Sequence, residues 1–207
     1  GGIYVTAGRG ASGTGGEVYM SAGLTTDSAT GGRVLLKSGH STATTSGEMV
    51  LQTANSGAAG LSGLMILSTG TSAGGNSGGI FIGTGEATSS GRSGVIYMTA
   101  GLGSTGTGGE VYLSGGLTTD TAAASSTGGR VSIVSGYSVA KSSGAMLLQT
   151  ANSGTAGVSG MVVMSTGTSA GGNSGHIFIG SAEAKSGGRS GGIYVTAGRG
   201  ASGTGGE

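Results

Sequence analysis

The chain has 207 residues, 52 of them Gly, with 8% charged residues, a formal net charge of +1, and no Pro, Cys or Trp. Ordinary globular domains carry about 7% Gly and about 25% charge, so this composition belongs to fibrous, repetitive or low-complexity chains. It excludes collagen, which needs Gly at every third residue and abundant Pro, and it excludes disulfide staples and Cys-ligated metal sites.

Disorder is the next class to weigh. Short apolar runs such as Ile3-Tyr4-Val5 and Ile80-Phe81-Ile82 recur along the whole chain and net charge is near zero, which argues against it. No apolar run approaches the ~18 residues of a membrane span. No basic block is present, so neither nucleic acid nor an anionic membrane is expected as a partner. The chain starts without Met or a signal peptide, and its start reads as a cut from a longer array.

In chain order, one unit recurs: Ser or Gly, Gly, a variable residue, three mostly apolar residues, a variable residue, a small residue, then Gly or Ala. Its defining glycines are Gly1, Gly16, Gly32, Gly47, Gly63, Gly78, Gly94, Gly109, Gly129, Gly144, Gly160, Gly175, Gly191 and Gly206, spaced alternately 15 and 16 apart, with one spacing of 20 from Gly109 to Gly129. The extra residues fall in Thr121-Ala122-Ala123-Ala124-Ser125-Ser126, which suits a surface loop. Longer periods overlie the short one. Residues 94–190 repeat 1–93: Leu24-Thr25-Thr26-Asp27 returns as Leu117-Thr118-Thr119-Asp120, residues 52–57 return as 149–154, and 69–78 return unchanged as 166–175. Residues 191–207 are identical to 1–17, so the repeating unit is expected to be 190 residues long, with 191–207 beginning the next copy.

Each apolar run is short, rich in β-branched residues and bounded by Gly, which predicts a strand of about six residues. Helix is disfavoured, because interior Gly costs about 1 kcal/mol relative to Ala. A fixed strand-plus-loop unit repeated in tandem predicts an all-β fold, a parallel β-solenoid running continuously over 1–207, with rungs ~4.8 Å apart. Alternation along each strand predicts an interior row: Ile3, Val5 and Ala7; Val18, Met20 and Ala22; Met49, Leu51 and Thr53. Rung size stays open between two arrangements. The 15/16 alternation favours two units per ~31-residue rung, which buries apolar rows against each other. The order Glu17, Arg33, Glu48 favours one unit per rung, since two-unit rungs place Glu17 beside Glu48. Burial tips the expectation towards the larger rung. Gly-rich connections such as 8–14 supply positive φ, and Asn55, Asn76, Asn152 and Asn173 are expected to stack along the turns.

The opposite face is the candidate functional surface. It carries Tyr4, Tyr19, Leu35, Val50, Ile66, Phe81, Tyr97, Tyr112, Leu147, Val163, Phe178 and Tyr194, and only Ser132 interrupts the apolar series. A solvated face should be polar, so this ladder predicts a self-association surface between copies.

Chemical motifs are sparse. The G-x-G strings are not followed by Lys-Ser/Thr or by a helical segment, as phosphate loops require. A calcium-binding solenoid needs Asp in every Gly-rich turn, and only Asp27 and Asp120 occur; both read as turn caps. His40 and His176 occupy non-equivalent positions. Eight acidic residues scattered along the units do not supply the clustered carboxylates of a polysaccharide-cleaving enzyme. No catalytic, metal or cofactor site is therefore expected, and no enzyme. An ice-binding surface would need a regular Thr array. The second outward row reads Thr6, Ser21, Lys37, Gln52, Ser68 and Gly83, which is irregular.

The recurring Ser-Gly-x-Ile-x-Ile-x-Thr-Gly pattern resembles that of Gly/Ser/Thr-rich β-solenoid arrays in large extracellular filament and adhesin-type proteins, over the whole chain. The resemblance implies secretion or display at a cell surface, a fibrous, appendage or adhesive role, and glycans on Ser/Thr as a partner class. Asn-linked glycans have no acceptor, because every Asn-Ser is followed by Gly. The expected function is a structural repeat segment of an extracellular fibre that associates with itself laterally or end to end. Ice- or carbohydrate-binding is the alternative.

Overall fold

The computed structural model describes residues 1–121, 126–201 and 205–206. The expected loop over 121–126 lies largely outside them. The chain divides into two compact units, Gly1–Met98 and Thr99–Glu207. Both are built from the same two parts: eight-residue runs beginning at each defining Gly, and the loops that join them.

All bends and turns among the described residues lie in the loops, for example at 11–13, 42–44, 73–75 and 170–172. The runs keep a constant length, so the 15/16 alternation resides in the loops. Residues 9–15 and 40–46 make loops of seven, residues 24–31 and 55–62 loops of eight, and the insertion makes 117–128 a loop of twelve. At the second position of many loops a hydroxyl caps the bend. Ser41 Oγ accepts from the N–H groups of Ala43 and Thr44 at 3.4 and 3.0 Å. Ser72 Oγ accepts from Gly75 at 3.1 Å and Ser169 Oγ from Gly172 at 3.0 Å, and Ser138 Oγ accepts from Lys141 at 3.0 Å. These local bonds hold the reversal without a core. Gly13 and Gly106, equivalent in the two units, end their bends at φ 118° and 83°, where a side chain would be strained.

Each loop is pinched shut at a neck, and the neck accounts for the invariant part of the pattern. The small residue near the end of one run meets the defining Gly of the next. A Cβ placed on Gly16 would lie 3.1 Å from the Ala7 Cβ, and one on Gly32 would lie 3.2 Å from the Ala22 Cβ. Two kinds of neck occur. Where Ala, Ser or Gly is followed by Gly, the defining Gly donates its N–H to that second Gly's carbonyl, as in Gly16 to Gly8 at 2.8 Å, Gly32 to Gly23 at 2.9 Å and Gly144 to Gly136 at 2.9 Å. Where Thr stands at the small position, no such bond forms among the described residues. The Thr methyl fills the neck instead, and Thr84 and Thr150 donate their hydroxyls to the carbonyls of Gly94 and Gly160 at 3.3 and 3.2 Å. The Thr53 Cβ comes as close to a Cβ placed on Gly63 as the Ala7 Cβ does to one on Gly16, 3.1 Å in both, so the neck stays closed and the contact passes from backbone to side chain.

The parallel β-solenoid expected from the pattern is not present. The described residues contain no helix and no β-strand. Among the described residues every backbone–backbone hydrogen bond closes a loop, and none joins equivalent positions of successive units, so neither one-unit nor ~31-residue rungs are stacked there. The Asn residues expected to stack along the turns make no bond to one another. Among the described residues no side chain is buried. The cause lies in the composition. Each unit offers three apolar residues and surrounds them with Gly, which loses more conformational freedom on ordering than any other residue. β-branched residues favour strands only where a neighbouring strand packs against them, and within one chain no run comes into ladder register with another.

Candidate self-association surface

Although nothing is buried among the described residues, exposure varies along each run. The third residue of each run, from Val18 to Ile193, is 47–59% exposed. Ile3, with no preceding unit, is 96% exposed. The residue that follows, on the other side, is 65–97% exposed at all twelve positions expected to form the ladder. Tyr4, Phe81, Phe178 and Tyr194 are the most open of these, and Leu35, Val50 and Val163 the least. The most covered residues of the chain are neck and loop-start residues: Ala22, Thr25, Ser38, Ser41, Thr53, Ser135 and Ser138. The fifth residue of each run, Val5 to Val195, is as open at 59–91%, so the interior row expected of Ile3, Val5 and Ala7 is not formed and the ladder is one of two open apolar rows.

Local sequence shapes this face. In the runs starting at Gly1, Gly78 and Gly191 the aromatic ring folds back over a glycine two residues earlier: the Tyr4 ring would lie 3.0 Å from a Cβ on Gly2, and the Phe81 ring 3.2 Å from one on Gly79. At the position equivalent to Gly79, His176 stands instead. It packs edge-on against Phe178, with ring centroids 6.1 Å apart and an interplanar angle of 64°. Where Glu17 or Glu110 occupies that position, the following Tyr19 or Tyr112 is nevertheless 81% exposed. Ser132 leaves the one polar gap.

The remaining sequence candidates are dispersed. The Asp27 carboxylate accepts from the Ser28 N–H at 2.7 Å, and its own N–H donates to Thr25 Oγ1 at 3.3 Å. In the equivalent loop the Asp120 N–H donates to Thr118 Oγ1 at 3.5 Å. Both are local turn contacts. Among the described residues, no three His, Asp or Glu side chains come together as metal ligands, and no cavity is present. No helix among them is long and apolar enough to cross a membrane.

The residues that sequence reasoning missed are those of the necks. Their signal was available in the constant small-residue position and in the choice between Ala-Gly, Ser-Gly and Thr at that point. No family model, no curated protein and no solved structure matches this chain.

Proposed function

We propose that this chain is a structural repeat segment of a long extracellular fibre, and that it associates with itself through its apolar runs. One observation carries the reading: in a tandem array of near-identical units, an apolar or aromatic residue stands open at twelve equivalent positions. Soluble monomers rarely expose contiguous apolar patches beyond a few hundred Å². Repetition multiplies one weak contact into many that engage together, which is the economy of a fibre. The extracellular setting rests on the resemblance to filament and adhesin-type arrays. The mechanical role rests on the tandem 190-residue period, which lengthens a chain without new chemistry.

The test is sedimentation velocity and electron microscopy of the purified chain over a range of concentrations, with acrylamide quenching of tyrosine fluorescence. The expected result is concentration-dependent growth of filaments together with loss of quenching. A chain that stays monomeric at every concentration, with its tyrosines freely quenched, refutes the proposal.

A further inference from the structure

We infer that the occupant of the open runs is a second copy of this chain, laid parallel to the first and in register, each run on its own counterpart. This deepens the fibre reading above and rests on it. Three observations lead to it.

The first is the state of the backbone. Among the described residues, backbone–backbone hydrogen bonds occur only at the necks, where the last residue of one run meets the first of the next, and none is made along the apolar stretch of any run. Each run thus presents amide donors and acceptors beside β-branched and aromatic side chains, which is the description of an unprotected strand edge. The usual guards are thin: there is no Pro, and charge is sparse. With a net charge of +1, whole copies do not repel one another.

The second is period. An occupant that serves every run must itself offer apolar triplets at the 15/16 spacing over the full length. A second copy meets that requirement, and in register it places identical side chains on one another, Tyr19 on Tyr19 and Phe81 on Phe81, as in stacked in-register sheets.

The third is loop length, which fixes the register. A copy displaced by one unit sets loops of seven against loops of eight. A copy displaced by two units restores that match but sets the twelve-residue loop 117–128 against loops of eight. An antiparallel copy fails in the same way, because reversing the order of the thirteen loops puts 117–128 opposite 86–93. Only zero displacement, or displacement by the full 190-residue period seen in the identity of 1–17 and 191–207, matches every loop. The insertion thereby acts as a register mark. In-register stacking does set Glu17 on Glu17 and Arg33 on Arg33, an unfavourable contact. These are isolated exposed charges in water, whose high dielectric keeps the repulsion of each pair small.

The absence of Cys permits a direct test on the full chain. Ser132→Cys places a single nitroxide at the one polar position of the ladder, and Ser21→Cys places one on the same face of another run. Parallel in-register copies bring equivalent labels to ~4.8 Å along the stack. The expected spectrum of the assembled chain is one exchange-narrowed line at each site, returning to three lines when labelled chain is diluted into excess unlabelled chain. Filaments that form with three-line spectra at both sites overturn the in-register inference and leave the fibre reading standing. Failure of the unlabelled chain to assemble at any concentration overturns both.

Discussion

The two glycines of a single neck are expected to respond to alanine in opposite directions. Gly32 donates its N–H to the Gly23 carbonyl at 2.9 Å. A Cβ on Gly32 would lie 2.8 Å from the Gly23 nitrogen and 3.2 Å from both the Gly23 oxygen and the Ala22 Cβ. Backbone lies on both sides, so no flexible side chain can swing away and the neck must open. The loss combines overpacking, about 1–3 kcal/mol, with a weakened backbone bond, about 0.5–1.5 kcal/mol. Alanine's smaller unfolded-state entropy returns about 0.4–1 kcal/mol. The net destabilisation of the closed loop is then about 0.5–4 kcal/mol, or roughly a 2- to 1,000-fold rise in the opening constant. Gly23 differs: nothing lies within 4 Å of its added Cβ and its φ is not positive. Gly23→Ala should therefore leave closure unchanged or strengthen it by about 0.4–1 kcal/mol. The assay is amide hydrogen exchange at position 32 in the dilute chain, corrected for intrinsic rates. Unchanged protection in Gly32→Ala, or a comparable loss in Gly23→Ala, would show that neck closure does not set the loop.

Two further substitutions probe the local rules. Thr69→Ala removes the methyl that lies 3.5 Å from the Cβ site of Gly78 and leaves an Ala-Gly neck; the Gly78 amide should acquire a bond to the Gly70 carbonyl, read as a roughly 2- to 10-fold gain in exchange protection. Ser41→Ala deletes the oxygen that caps Ala43 and Thr44. It should speed exchange at Thr44 by roughly 2- to 10-fold and leave the Gly47 neck bond intact.

Different levels of the structure were legible to different degrees. The repeating unit and its glycines, spaced 15 or 16 apart with one spacing of 20, are written in residue order, because a tandem pattern needs only self-comparison. The local role of the hydroxyls also follows from type: Ser41 and Ser72 cap their bends as Ser does in turns generally. What residue order does not contain is which run, if any, pairs with which. The triplets Ile3-Tyr4-Val5 and Val18-Tyr19-Met20 state that each run can serve as a strand, since alternation and branching are properties of the run alone. Pairing is a property of two runs held at ~4.8 Å, and the loops between them, largely Gly, Ser and Thr, impose only a reversal. The solenoid expectation treated a capacity for pairing as pairing within the chain.

The necks sharpen that distinction, because their two kinds are ordered along the chain. After Ala7, Ala22 and Ser38, each followed by Gly, come Thr53, Thr69 and Thr84; after Ala100, Gly115 and Ser135, each followed by Gly, come Thr150, Thr166 and Ser181. The first three of each half carry a backbone bond, while the next three carry none among the described residues. A 93-residue half is therefore three loops closed by a backbone bond followed by three closed by side-chain contact, and the second half keeps this order despite its insertion. Uniform stability along an array would be best served by one kind of neck throughout. Alternating blocks instead give each half a tighter portion and a portion that opens at lower cost, so a chain pulled along its length should yield first at the Thr necks. The order of neck types, more than any single residue, distinguishes this array from a simple run of identical units.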